Sequence, residues 1–440
     1  MARIAQKGLF GWDEIEDLGD LERLRLVLDS VPDEALMKRL EASRGRGRKD
    51  YPVRAVWNSL VAGVVFQHES VASLRRELSR NAQLRQVCGF DVLKGSAGVP
   101  PAWVYTRFLR VLLKHQAAIE AMFEALVQAL SEELEGFGRY LAIDGKAIKS
   151  HGKKPLEGAS KDGRRDGDAN WGTKTSGGQG DDGRLWQKVT SWFGYKAHLV
   201  VDAEYELPVA FEVTRASVAE QPVAREMMRQ LAHRQPALVE RCEALLGDKG
   251  YDDGALICQL WDEYHIKPVI AIRDCWQQPD GEQTRVLPGT TNVIYDYQGQ
   301  VLCSCPLTGQ VQEMAYGGFE KNRETLKYRC PAAHYDLRCP GRACCEVGAS
   351  IRIAMAEDRR VFTPLARSSY RWERLYQKRT AVERVNSRLD VSFGFEKHYI
   401  RGLGKMRLRV SLALVVMQAM ALGRIRQKQK EKLRSLLAAA

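Results

Sequence analysis

The stretch GRYLAIDGKAI, residues 138–148, places Asp144 inside a short apolar run. Such a run predicts a buried β-strand, in which an acidic residue is unfavourable. A buried carboxylate also costs free energy unless a cation or hydrogen bonds stabilise it. Asp-Gly is a favoured hairpin-turn dipeptide, so a turn is the alternative interpretation, although no second strand follows directly. Asp144 is therefore the first candidate for a functional carboxylate.

A second aspartate follows a second apolar run. ALLGD, residues 244–248, predicts a strand that ends at Asp248, and ligand sites in α/β sheets gather at the carboxyl ends of strands. The alternatives are a turn aspartate or a helix cap. Asp252 and Asp253 are better placed to cap the following helix, GALICQL, which leaves Asp248 available for a site.

A third acidic residue lies where a helical period is predicted, from 368 to 389. Four polar residues fall on one face of this predicted helix: Tyr376, Arg379, Glu383 and Asn386. A polar helix face is usually only solvated, and Arg379 with Glu383 is an ordinary i,i+4 ion pair. By itself this stripe does not indicate a function.

Together, the three carboxylates have a more specific meaning. Two carboxylates on strand ends and a third on a later helix can hold two divalent ions beside a phosphodiester. Oxygen ligands suit Mg²⁺ or Mn²⁺. We therefore predict that Asp144, Asp248 and Glu383 are metal ligands.

The elements around these residues predict a mixed α/β sheet. Strand signals at 192–202 and 207–216 form a hairpin, and the full order is strand, hairpin, helix, strand, helix, strand. Residues 151–184 are dominated by Gly, Lys, Asp and Ser without a period. They are predicted to be a long loop or a disordered insertion.

The N-terminal part, 1–135, is predicted to be an all-helical DNA-binding domain. A 3.6-residue apolar stripe over 52–67 is followed by a shorter helix with Arg75, Arg76 and Arg80 directed outward. This outline resembles a helix-turn-helix. Adjacent helices with a basic face are common, however, so the spacing alone leaves DNA binding open.

The charge of the chain points to a polyanionic partner. Its 440 residues include 67 Lys or Arg against 55 Asp or Glu, which gives a net charge of +12. Residues 401–440 are predicted as a basic C-terminal helix that binds DNA or is simply a solvated tail.

The longest apolar stretch, 410–422, is shorter than the roughly 20 residues of a membrane span, and the N-terminus lacks the apolar core of a signal peptide. We expect a cytoplasmic protein without a membrane partner.

Six of the ten cysteines are clustered between 303 and 345: Cys303, Cys305, Cys330, Cys339, Cys344 and Cys345. In a reducing cytoplasm such a cluster suggests structural Zn²⁺ before disulfides. The spacing is irregular and has no paired C-x2-C, so free thiols are an equal alternative. Residues 275–350 are predicted as an inserted Cys-rich β module, in which Tyr295, Tyr297, Tyr316 and Tyr328 could stack on DNA ends.

The motifs AIDGKAIKS around Asp144, LLGDKGYD around Asp248, and Y-x2-R-x3-E ending at Glu383 resemble, in this order, the DDE transposases of bacterial insertion sequences. Residues 52–90 are similar to the helical domain that precedes the catalytic core in many members. The resemblance implies an RNase H-like core, 136–274 and 351–400. It also implies Mg²⁺- or Mn²⁺-dependent cleavage of transposon ends and strand transfer into target DNA, with Asp144, Asp248 and Glu383 as catalytic residues and a homodimer assembled on the DNA.

One position departs from the family pattern. Members often carry a basic residue seven positions after the glutamate, where this chain has Asp390. Arg384 and Arg388 are nearby candidates for the DNA contact, together with Tyr376 and Arg379. The alternatives to a transposase are an RNase H-like nuclease without strand transfer and a silent DNA-binding repressor derived from such an enzyme.

Overall fold

The first part of the chain is helical, in a computed structural model that describes residues 18–45, 50–155, 164–179, 184–276 and 284–434. Its helices are α1 (Leu21–Ser30), α2 (Glu34–Arg44), α3 (Val53–Val65), α4 (Val71–Arg80), α5 (Ala82–Cys88), α6 (Ala102–Leu112) and α7 (Gln116–Glu133). Ser70 caps α4 by accepting a hydrogen bond from the Ser73 amide at 3.2 Å. The predicted helical N-terminal region is confirmed.

A six-stranded mixed sheet follows. Its strands are β1 (Tyr140–Lys149), β2 (Asn170–Gln179), β3 (Leu185–Asp202), β4 (Leu207–Arg215), β5 (Ala244–Gly247) and β6 (Lys267–Ile270). The order is β2-β3-β1-β5-β6, and β4 also pairs with β3. Strands β1, β5 and β6 are parallel, whereas β3 is antiparallel to β1. Helices α8 (Glu220–Arg234) and α9 (Pro236–Arg241) connect β4 to β5, and α10 (Gly254–Cys258) precedes β6. The predicted mixed α/β class is confirmed.

Strand β2 lies within the stretch predicted to be a loop. It pairs along its whole length with the first part of β3, which begins at Leu185 and not near Trp192 as predicted. The sequence of β2, NWGTKTSGGQ, gives no apolar alternation, so the backbone ladder to β3 is what orders it. Part of the predicted loop, 156–163 and 180–183, lies outside the described residues.

Two small antiparallel sheets occupy the chain after β6. One contains β7 (Thr284–Val286), β8 (Val293–Asp296), β9 (Val301–Ser304) and β10 (Val311–Glu313), and the other β11 (Ala315–Glu320), β12 (Thr325–Arg329) and β13 (Ser350–Ala354). The short helix α11 (Pro331–His334) follows β12. These sheets have an apolar core separate from the main one. Tyr295 and Tyr328 are buried in it, so the prediction that they stack on DNA bases is wrong for these two.

Three helices complete the fold: α12 (Tyr370–Gln377), α13 (Thr380–Phe393) and α14 (Leu403–Arg426). The single helix predicted over 368–389 is in fact two, since the chain turns at Lys378 and Arg379. Helix α13 packs against β1 and β3. The residues of the Y-x2-R-x3-E motif therefore lie on α12, on the turn after it and on α13.

Helix α14 is a core element, although it was predicted as a basic helix. It packs against α1, α3, α7 and β4, and its exposed cations lie near its two ends, Lys405 at the start and Arg426 at the end, with Lys428 and Lys430 exposed just beyond it. Within the described ranges it is the one helix long and apolar enough to cross a membrane, with 89% of its apolar window buried. Core helices pass the same test, so this is weak evidence for a membrane span.

Candidate active site

Asp144 and Asp248 follow paired residues on neighbouring parallel strands. Ile143 of β1 is in register with Gly247 of β5, and the aspartates are the next residues along each strand. Asp144 is itself paired with Leu199 of β3, so the alternative of an Asp-Gly turn is wrong. The Asp248 carboxylate accepts a hydrogen bond from the Gly250 amide at 2.8 Å.

The Asp144 carboxyl group is buried beside other acids. Its pKa is raised to about 6, chiefly by burial and also by the charges of Asp248 and Glu220, while Lys174 opposes the shift. The Asn386 side chain, from α13, donates a hydrogen bond to Asp144 Oδ2 at 3.0 Å. Helix α13 is thus joined directly to β1 at the first predicted carboxylate.

Glu383 lies in the first turn of α13, three residues before Asn386. Its half-exposed side chain pairs with Arg379 at 2.8 Å. Partial burial lowers the pKa of the Arg379 guanidinium. Glu383, the Tyr376 hydroxyl and Asp248 raise it, and the net shift is upward. Arg379 therefore lies within electrostatic reach of two of the three predicted ligands.

Tyr376 and Arg379 are held by stacking. Tyr376 lies parallel to Trp372, with 4.8 Å between ring centroids and 11° between ring planes. The Arg379 guanidinium lies over the Tyr376 ring at 5.6 Å. The Y-x2-R-x3-E residues form one continuous chain of contacts, and their contact with DNA stays a prediction.

Arg384 and Arg388, the other predicted DNA ligands on α13, point to a buried glutamate. The Arg384 Nε donates to Glu206 Oε1 at 2.6 Å, and Arg388 Nη2 lies 3.7 Å from Glu206 Oε2. Burial lowers the pKa of Arg388 to about 10. These contacts give both arginines an intramolecular role.

The N-terminal arginines differ in their availability to a ligand. Arg75 donates to the Pro100 carbonyl at 2.8 Å, whereas Arg80 is exposed and pairs with Glu77. Arg76 is exposed. The structure thus leaves Arg76 and Arg80, more than Arg75, accessible to DNA.

Glu220 and Tyr251 are site residues that the sequence analysis missed. Glu220 opens α8, where an acidic residue is ordinary, so nothing in the sequence set it apart. The Tyr251 hydroxyl is buried and has no hydrogen-bond partner within the described residues. Burial, followed by the charges of Glu220, Asp144 and Asp248, raises its pKa well above the usual value.

A divalent ion fits this chemistry. An unpaired buried hydroxyl near three carboxylates is what a site completed by a cation and its water would leave. Across the described ranges, however, no group of three or more His, Cys, Asp or Glu side chains stands ready to hold a metal ion. The carboxylates are engaged by protein donors instead, Asp144 by Asn386 and Glu383 by Arg379. A carboxylate that accepts one such contact keeps other lone pairs for a metal ion, so these contacts are compatible with metal binding.

The cysteines of the inserted module surround a small cavity of about 20 Å³. Five of the six predicted zinc ligands line it: Cys303, Cys305, Cys330, Cys339 and Cys345. Cys344 is not among them, and its thiol donates to the Gly341 carbonyl at 3.3 Å. None of these cysteines forms a disulfide.

Hydrogen bonds from the Thr308 hydroxyl and from nearby amides lower the pKa of the Cys305 thiol to about 6. Zinc binding stays a prediction, since the sulfurs would have to move closer together.

Asp144 lies within β1, just after the pairing with β5 stops, and not at the end of a strand as predicted, whereas Asp248 directly follows β5. The sheet and these two aspartates define an α/β protein whose candidate site lies where the parallel pairing of β1 and β5 ends. The chain belongs to the transposase DDE domain family, whose family model matches residues 135–418. This confirms the resemblance to DDE transposases, while an origin in a bacterial insertion sequence stays a prediction.

Two further comparisons were made. No curated protein matches the chain. Among solved structures, it is similar to the piggyBac transposase in the cryo-EM structure of its synaptic complex with hairpin DNA, with 11% sequence identity and a TM-score of 0.36. The similarity covers 95% of this chain and 79% of that chain.

Proposed function

We propose that this protein is an insertion-sequence transposase that binds terminal inverted repeats, cleaves the DNA ends and joins them to target DNA. The observation that carries the proposal is the adjacent placement of Asp144 and Asp248 in a chain of the DDE domain family. With β2 set aside as an addition, the strand order β4-β3-β1-β5-β6 supports an RNase H-like core. The positive net charge supports DNA as the partner.

In this proposal Asp144, Asp248 and Glu383 hold Mg²⁺ or Mn²⁺. A bound pair of such ions activates the attacking oxygen and stabilises the leaving oxygen of a phosphodiester. The chain itself buries Asp144, orients it through Asn386 and pairs Glu383 with Arg379. We further propose that the protein acts in the cytoplasm as a homodimer assembled on DNA.

The test uses DNA that carries the inverted repeats flanking the gene. Asp144→Asn, Asp248→Asn and Glu383→Gln should each remove Mg²⁺-dependent strand cleavage while binding to the repeats persists. Glu373→Gln, on the exposed face of α12, is the matched control and should cut normally. Cleavage by Asp144→Asn at the wild-type rate would overturn the metal-site assignment.

A further inference from the structure

A fourth carboxylate, Glu220, reaches the predicted metal site from the start of α8. Its Oε2 lies 2.7 Å from the point where a Cβ on Gly250 would stand, and Asp248 Oδ1 lies 2.8 Å from the same point. Its Oε1 lies 2.9 Å from the corresponding point on Gly145, the residue after Asp144. Glu220 therefore lies against the backbone beside both aspartates, close to Gly145 and Gly250.

The two glycines explain why the approach is close. Any side chain at 145 or 250 would collide with the Glu220 carboxylate, because real Cβ atoms essentially never come within 3.0 Å of another heavy atom. The Gln221 side chain donates to the Gly250 carbonyl at 2.6 Å and so fixes the start of α8 against this loop. The position of Glu220 is thus determined by backbone contacts as well as by its own charge.

Without a metal ion, Glu220 is balanced by one cation. Lys196 Nζ lies 3.0 Å from Glu220 Oε1 and also donates to the Val218 carbonyl. Lys174 lies within electrostatic reach of Asp144, and Arg379 within reach of Asp248, so each acid has a nearby protein cation. The buried Tyr251 hydroxyl, which has no hydrogen-bond partner among the described residues, lies near the same three acids. A buried polar group of this kind beside a carboxylate cluster fits a cation with its coordinated water.

We propose that Glu220 is a fourth acidic residue of the metal site, binding the divalent ion held by Asp144 and Asp248 either directly or through a water molecule. This inference rests on the proposed function, because it presupposes that the two aspartates bind metal. The competing explanation is that Glu220 serves only as the structural partner of Lys196. The two explanations predict different effects of replacing Lys196.

The experiment measures Mn²⁺ binding to the full-length protein by calorimetry, without DNA. Glu220→Gln, and Glu220→Ala as a second variant, should weaken Mn²⁺ binding by about 10-fold or more. Lys196→Met should bind Mn²⁺ at least as tightly as the wild type, because a competing cation has been removed. Glu226→Gln, farther along α8, is the matched control and should leave the affinity unchanged. Melting temperatures establish that each variant is folded.

Two results would overturn the inference. One is unchanged Mn²⁺ affinity in both Glu220 variants, and the other is an equal loss in Lys196→Met, which would make the ion pair structural. Asp144→Asn separates this inference from the proposed function. If Asp144→Asn binds Mn²⁺ normally, the metal site itself is wrong, whereas a loss in Asp144→Asn without a loss in Glu220→Gln rejects only the role of Glu220.

Discussion

Lys146 and Asp390 form an ion pair between β1 and α13, with 2.5 Å between Nζ and Oδ2. Lys146 is almost fully buried and lies two residues after Asp144, and Asp390 lies one turn after Asn386. The two contacts Asn386 to Asp144 and Asp390 to Lys146 therefore fix the helix against the strand in one register.

The first prediction concerns this pair. Lys146→Met and Asp390→Asn should each destabilise the protein, and a double-mutant cycle by urea unfolding should give a coupling of about 1 to 3 kcal/mol. Loss of register should also lower strand cleavage, since Glu383 lies on the same helix. The exchange Lys146→Asp with Asp390→Lys should recover part of the stability. Additive effects of the single variants would show that the pair does not fix the helix.

The second prediction follows from the pKa of Asp144. Its value of about 6 in the folded protein lies above the ordinary 3.8, so folding favours the protonated form. Stability is therefore lost as the pH rises from about 4 to 6, and the full penalty, about 3 kcal/mol at most, remains above that range. Asp144→Asn, in metal-free buffer, should raise the melting temperature at pH 8 and have much less effect at pH 4. An equal change at both values would contradict the assignment.

The third prediction concerns the cysteine cavity. The purified protein should contain about one equivalent of zinc, lost on changing Cys303 or Cys330 to Ser, because four thiolates can hold one tetrahedral ion. Cys344→Ser is the matched control, since Cys344 is not among the cavity-lining residues. Less than about half an equivalent of zinc, with freely titratable thiols, would show that the module folds without a metal.

The fourth prediction concerns DNA binding by α4. Arg76→Ala and Arg80→Ala should weaken binding to the inverted repeats by about 1 to 3 kcal/mol if they read bases, with a smaller effect on random DNA. Arg229→Ala, on α8, is the control, because that arginine is also exposed and pairs with a glutamate three residues away. Equal losses on both DNAs in fluorescence anisotropy titrations would mean that α4 contacts only phosphate.

Much of the sheet could be predicted from the sequence because its central strands are apolar runs. Strands β1 and β5 and the aspartates at 144 and 248 were identified from those runs and the residues that interrupt them. Strand β2 could not be predicted, because its stability comes from pairing with β3 and not from its own composition. Glu220 was missed for a similar reason: only the folded chain brings the start of α8 to Gly145 and Gly250.

The tyrosines of the Cys-rich segment and the helix with the Y-x2-R-x3-E residues were also only partly predictable from the sequence. The sequence placed Tyr295 and Tyr328 among cations, but tertiary packing buries both in the second core. The helical period of the sequence continues through Lys378 and Arg379, whereas the structure has a turn there between α12 and α13. Local patterns identify which residues are polar or apolar, and tertiary contacts decide which of them face the solvent.

The burial of α14 has a consequence for where the protein would cut DNA relative to the site that it binds. One continuous apolar core includes Leu24 and Leu60 of the N-terminal helices, Leu141 of the sheet, and Met417 of α14. Helix α4, which carries Arg76 and Arg80, contributes Leu74 and Leu78 to the same core as β1, which carries Asp144, and β5, which precedes Asp248. The distance from the recognised base pairs to the cut should then be fixed. Inserting base pairs between them should therefore abolish cutting at some insert lengths and restore it at others, with the period of the double helix.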